Sequence, residues 1–174
     1  MSIMMNKVYF ITAMLGLVAI CVSVLARPKD PTAETRANKE LLQRFYHEVY
    51  VNWNMNYADE VLSPNFLSHD WPKGTPSGPK AFRAYYDALR KAVPDAKYEV
   101  DDLVAERDRV VVRWTMKGTY SNQFPGIDVP PTGQPIALKG IAIYRVEKGK
   151  LAERWVVSDV YGLIKEAQQK AAKY

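Results

Sequence analysis

Four extended segments fill the second half of the chain, and the short turns between them limit the available folds more than any other feature. Residues 97–105, 109–120, 134–146 and 151–160 are rich in Val, Ile, Tyr and Trp with apolar and polar positions alternating, the pattern of half-buried strands. Arg107-Asp108 joins the first two segments and Glu147-Lys148-Gly149 the last two, which implies two antiparallel hairpins. The middle connection, residues 121–133, is longer and carries Pro125, Gly126, Pro130 and Pro131.

Helical periodicity precedes the strands. From residue 38 to 53 the apolar positions Leu41, Leu42, Phe45, Val49 and Trp53 recur at intervals of three and four, giving one buried face. A second short helix is expected over 57–62, ending before Pro64, followed by an extended piece at 66–70. The turn-rich run from Trp71 to Gly78 leads into a third helix over 79–92, with Pro79 at its first position and Pro94 as its stop. The buried face of this helix comprises Phe82, Tyr85 or Tyr86, Leu89 and Val93. A last helix is expected over 161–170. Helices first and strands afterwards indicate an α+β domain with helices laid on one face of a curved antiparallel sheet.

Ahead of this domain lies a different kind of segment. Residues 8–25 are apolar and uncharged, follow Lys7, and end in Val24-Leu25-Ala26, a pattern suited to signal-peptide cleavage after Ala26. The run is also long enough to remain as a membrane anchor. The expected organisation is therefore a signal peptide or anchor at 1–26, a linker at 27–36 and a single domain at 37–174. Export to the periplasm or medium is the expected localisation, and contact with a membrane is expected only through the uncut N-terminal segment.

Composition excludes several classes of function. The sole cysteine, Cys21, falls in the apolar run, so the domain has no source for a disulfide, a thiolate ligand or a cysteine nucleophile. Its two histidines, His47 and His69, do not form a metal-ligand spacing, and no G-x-S-x-G elbow occurs. No metal site is expected. The net charge of +5 is spread among acids, as in Arg107-Asp108-Arg109, and no basic stripe points to nucleic acid.

Chemistry is suggested by residues 151–167, LAERWVVSDVYGLIKEA. Alternation places Asp159 on the strand face of Trp155 and Val157, so its carboxylate is expected to meet an apolar space, where proton transfer near neutrality is favoured. Asp159 is the first candidate acid/base; the alternative is that it caps the helix that follows. His69 is the second catalytic candidate, with a structural role at the Trp71 loop as its alternative. Trp155, Trp71, Tyr86, Lys139 and Arg113 are the candidate substrate-binding residues, while Trp71, Tyr85, Tyr86, Trp114 and Trp155 equally suit a core.

The ordered motifs NKELLQRFYHEVY, VLSPNFLSHD, DLVAERDRVVVRWTMKGTY and PPTGQPIALKGIAIYRVEKGKLAERWVVSDVYGLIKEA resemble the SnoaL-like polyketide cyclase (ester cyclase) family of the NTF2-like superfamily over residues 38–169. The resemblance implies a cone in which a bent sheet and three N-terminal helices enclose a pocket, with a short C-terminal helix, and an intramolecular aldol closure that needs no cofactor. It also implies that the family's acid/base aspartate, in W-x-x-x-D-x-x-G-L, corresponds to Asp159, with Trp155, Gly162 and Leu163 filling the motif. The family's H-D pair is matched by His69-Asp70. Two positions depart from the pattern: Arg154 stands where a histidine is common, and Lys139 where an arginine is. The reaction expected is acid/base chemistry on a carbonyl compound, with Asp159 as base and His69, Lys139 or a tyrosine hydroxyl at the enolate oxygen. A binding module for a small apolar ligand is the competing expectation, and a homodimer working through an exposed sheet face is the third.

Overall fold

A computed structural model describes residues 31–125 and 130–172. The expected signal peptide or anchor, the start of the linker and the centre of the 121–133 loop, Gly126 included, lie outside the described residues. No helix among the described residues is long and apolar enough to cross a membrane.

The first helix, α1 (Pro31–Phe45), begins seven residues before the expected start at Asn38 and takes in six residues assigned to the linker. A proline opening the helix and Glu34 in its first turn suit a helix N-terminus, and Arg44 suits the last turn. Thr35 and Asn38 then tie α1 to the first hairpin: the Arg107 N–H donates to Thr35 Oγ1 (3.2 Å) and Asn38 Nδ2 donates to the Arg107 carbonyl (2.9 Å). The chain continues as a π-helical turn, Tyr46–Val51, which buries Tyr46, Val49 and Tyr50. The second helix, α2 (Met55–Val61), is capped by Asn54, whose side chain accepts from the Tyr57 N–H.

Strand β1 (Leu62–Ser68) follows without a loop and starts four residues before the expected extended piece. It contains Pro64, which a central strand would not tolerate; β1 is an edge strand, so the missing N–H leaves no ladder bond unmade. The third helix, α3 (Pro79–Ala92), has the expected bounds, with Gly78 (φ +92°) entering it and Phe82 and Tyr86 buried.

The sheet comprises β1, β2 (Lys97–Glu106), β3 (Arg109–Thr119), β4 (Pro135–Glu147) and β5 (Lys150–Ser158) in the order β1-β5-β4-β3-β2. Strands β2 to β5 are antiparallel, and β1 adds to β5 in parallel. The curved, unclosed sheet and its helices make the expected α+β fold. Inward positions alternate strictly along β4, where Ile136, Leu138, Gly140, Ala142, Tyr144 and Val146 are buried and their neighbours face out. Register then decides β5: Tyr144 opposes Arg154, Ala142 opposes Val156 and Gly140 opposes Ser158. Over this concave face lie the aromatic rings of the helices, with Phe45, Tyr50, Phe82 and Tyr86 in edge or tilted contact. The last helix, α4 (Val160–Ala171), closes the domain.

Candidate functional site

The register of β5 overturns the expected orientation of Trp155, Val157 and Asp159. Trp155 and Val157 sit on the outer face, Val157 with 79% of its surface exposed, and Asp159 lies just past the end of the strand, while Arg154, Val156 and Ser158 point into the cone. Both parities of this strand offer apolar residues because the outer face is itself apolar. Ile141 pairs with Val157 and Ile143 with Trp155 there, so alternation alone favoured the wrong face.

A cavity of about 90 Å³ lies inside the cone, walled by Tyr46, Tyr50, Tyr85, Tyr98, Trp114 and Phe124 with further apolar residues, and reached by Asp70, Arg154 and Ser158. Arg154 is 1% exposed and is the one fully buried charged side chain among the described residues. Its guanidinium is held on three sides. Nε donates to Ser68 Oγ (2.8 Å), Nη1 to the Tyr86 hydroxyl (2.5 Å) with the Tyr50 hydroxyl at 3.4 Å, and Nη2 to Asp70 Oδ2 (3.4 Å). The Ser68 hydroxyl donates in turn to Asp70 Oδ1 (2.5 Å), so serine and arginine together fix the carboxylate plane. The Asp70 side chain keeps 23% exposure.

Burial sets the protonation of this shell. Burial works against the Arg154 charge, but the surrounding phenol oxygens of Tyr86, Tyr144 and Tyr50 and the Asp70 carboxylate outweigh it and hold the group protonated. Burial also drives the hydroxyls of Tyr46, Tyr50, Tyr86 and Tyr98 above the ordinary phenol value, so each stays a neutral O–H. The result is one cation and one carboxylate set in an apolar, aromatic chamber, where an oxygen carrying negative charge is favoured beside the guanidinium.

The expected site residues divide accordingly. Tyr86 lines the cavity and binds Arg154. Trp71 is buried behind the guanidinium, its ring 5.5 Å from Arg154 Cζ and 5.1 Å from the Tyr85 ring, and its Nε1 has no hydrogen-bond partner among the described residues. Asp159 does not enter the cavity. Its Oδ1 accepts from the Gly162 N–H (2.7 Å), which makes it the N-cap of α4. His69 does not enter it either: the ring stacks on Trp155 at 4.5 Å on the outer face, and Nε2 lies 2.9 Å from Glu153 Oε2. Trp155 carries Arg109 at 4.9 Å from its ring, again outside. Lys139 is exposed on the outward parity of β4. Arg113 is exposed on β3 and pairs with Asp101 and Asp102. Of the matched His69-Asp70 pair, the aspartate faces the cavity. The departure from the family pattern at Arg154 was the visible signal of the site, since a buried strand position that is basic in either form is placed there for its charge.

No group of three or more His, Cys, Asp or Glu among the described residues is arranged to hold a metal. The elements that carry Arg154 and Asp70 define an NTF2-like cone, a class of small-molecule-binding framework in which a bent sheet and helices surround a cavity. The sequence matches the SnoaL-like polyketide cyclase family over residues 40–167, and the chain belongs to that family. A search of curated proteins found no match. Among solved structures, a proposed polyketide cyclase from Acidithiobacillus ferrooxidans is 26% identical with a TM-score of 0.64, over 76% of this chain and 95% of that one. TsrD from Streptomyces laurentii is 26% identical with a TM-score of 0.66, over 76% and 95%. AclR from Streptomyces galilaeus, a proposed hydroxylase, is 26% identical with a TM-score of 0.62, over 78% and 98%. A cyclase and a hydroxylase proposed on one framework leave the reaction to the residues in the cavity.

Proposed function

We propose that this protein carries out cofactor-free acid/base chemistry on a small carbonyl compound, with Asp70 as the base and Arg154 at the developing oxyanion. The observation that supports this reading is the Asp70–Arg154 pair facing an aromatic cavity. In the proposed step, the Asp70 carboxylate takes a proton from the carbon next to the carbonyl. The C–H electron pair becomes the enolate double bond, and the oxygen's negative charge lies against the guanidinium. The enolate then attacks an electrophile on the same molecule or takes the proton back. Small size follows from the cavity: about 90 Å³ is well below the roughly 300–1,000 Å³ of pockets that take drug-sized ligands, so a single-ring compound is the expected scale.

The test needs no knowledge of the final product. Ketones and β-keto esters of one ring or less are incubated with the full chain in deuterated buffer, and loss of the α-proton signal is followed by NMR. Enzyme-dependent exchange for at least one compound is expected. A second reading has its own support, because Asp70 is engaged by both Ser68 and Arg154 as a counter-ion would be. If compounds bind in the cavity and none exchanges, the protein is a binding module.

A further inference from the structure

The direction of the hydrogen bonds around Tyr86 assigns a role to its proton. A phenol oxygen has one O–H to donate and two lone pairs with which to accept. At Tyr86 two donors converge on that oxygen, Arg154 Nη1 at 2.5 Å and the Tyr50 hydroxyl at 2.9 Å. Arginine has no acceptor to offer in return, and Tyr50 has spent its own proton on Tyr86. Two groups can donate to Tyr50 in turn, Arg154 Nη1 and the Tyr144 hydroxyl, each at 3.4 Å. The chain of phenols therefore runs one way, from Tyr144 through Tyr50 to Tyr86, and all three residues are buried. The Tyr86 proton is thus not taken up by Arg154 or Tyr50, and Tyr86 lines the cavity.

We propose that the Tyr86 hydroxyl is the direct hydrogen-bond donor to the ligand, and that it selects ligands presenting an acceptor-only oxygen: a carbonyl, enolate, phenolate or carboxylate. This deepens the reading above and rests on the cavity being the ligand site, but it does not require that Asp70 act as a base. A cation and a second phenol both donating to Tyr86 polarise its O–H, and hydrogen bonds in series strengthen one another. Burial keeps the proton on the oxygen across the physiological range. A ligand ammonium would bring a donor to a donor, and a ligand alcohol, which can accept, offers a neutral oxygen that makes a weaker bond than a charged one. Tyr144 does not line the cavity, and Tyr50, which walls it, gives its own proton to Tyr86; towards the ligand oxygen both are positioning residues that fix the direction of the last proton.

The probe is 4-nitrophenol, a single ring whose neutral form carries an O–H and whose ionised form carries only acceptors. Its affinity for the full chain is measured by absorbance titration below and above the probe's own pKa. The wild type should bind the phenolate more tightly than the phenol. Tyr86→Phe should weaken the phenolate about ten-fold, the scale of one hydrogen bond to a charged oxygen, and leave the neutral phenol within about two-fold. That retained neutral binding also shows that the variant is folded. Tyr50→Phe removes one donor to Tyr86 but not the Tyr86 proton, so its effect on the phenolate should be smaller than that of Tyr86→Phe. Unchanged phenolate affinity in Tyr86→Phe, a loss of the same size in Tyr50→Phe, or no preference for the phenolate in the wild type would each overturn the assignment. Phenolate preference without α-proton exchange would reject the acid/base reading and keep Tyr86; exchange at wild-type rate in Tyr86→Phe would reject Tyr86 and keep the base.

Discussion

Asp159 and Gly162 explain each other. The carboxylate of Asp159 closes back on the N–H three residues ahead, and an added Cβ at Gly162 would stand 2.1 Å from Asp159 Oδ2. The D-x-x-G spacing is thus a steric condition for the cap: the third helical residue must lack a side chain where the capping carboxylate lies. Asp159→Ala should cost about 1 kcal/mol of unfolding free energy, and Asp159→Asn only a few tenths, because asparagine caps about as well. Gly162→Ala should cost a similar amount to Asp159→Ala, and the double variant less than the sum, since both remove one interaction. Denaturant unfolding of the four proteins checks this, and full additivity would contradict it. The sequence pointed to Asp159 through motif and alternation together, yet both were compatible with a cap. No one-dimensional pattern distinguishes a carboxylate turned to a helix end from one turned to a cavity.

Strand β4 carries the geometry on which the site depends. Its inward row is interrupted at Gly140, where an ideal Cβ would come 2.3 Å from Trp114 Cζ2 across the β3–β4 pair. Trp114 is a cavity wall, so the glycine sets how far that wall stands back. Gly140→Ala should destabilise by about 1–3 kcal/mol through overpacking and should weaken ligands in the cavity. Equal stability and equal affinity in calorimetric titration would show that the ring has room to yield. At this scale much was legible. Pro79 and Pro94 bound α3 as expected, and both hairpin turns fall where the sequence puts them. The place of β1 was not legible, because its parallel pairing with β5 joins residues more than eighty positions apart. The face of β5 was not legible either, since Ile141, Ile143 and Val157 make its outward side apolar too. Only register against β4, where Tyr144 fixes Arg154 inward, settles it.

As a whole, the molecule encloses a chamber of phenols around one cation, and its response to pH should show this. Burial raises the hydroxyls of Tyr46, Tyr50, Tyr86 and Tyr98 above their value in an unfolded chain, which is about 10. Groups shifted upward favour the protonated folded state, so their contribution is fully present below about pH 10 and is lost as pH rises beyond it. In an alkaline titration of the eleven tyrosines, the tyrosinate absorbance of these four should appear only with loss of far-UV dichroism. Complete ionisation ahead of any unfolding would contradict a buried phenol shell. The central claim, that chemistry resides with Asp70 inside the cone and not with Asp159 at its rim, is tested most directly by the rate of α-deuterium incorporation in two variants measured side by side. Asp70→Asn should lose about two to four orders of magnitude while still binding the ligand, and Asp159→Asn should exchange at close to the wild-type rate. The reverse order, with Asp159→Asn inactive and Asp70→Asn active, would contradict the account.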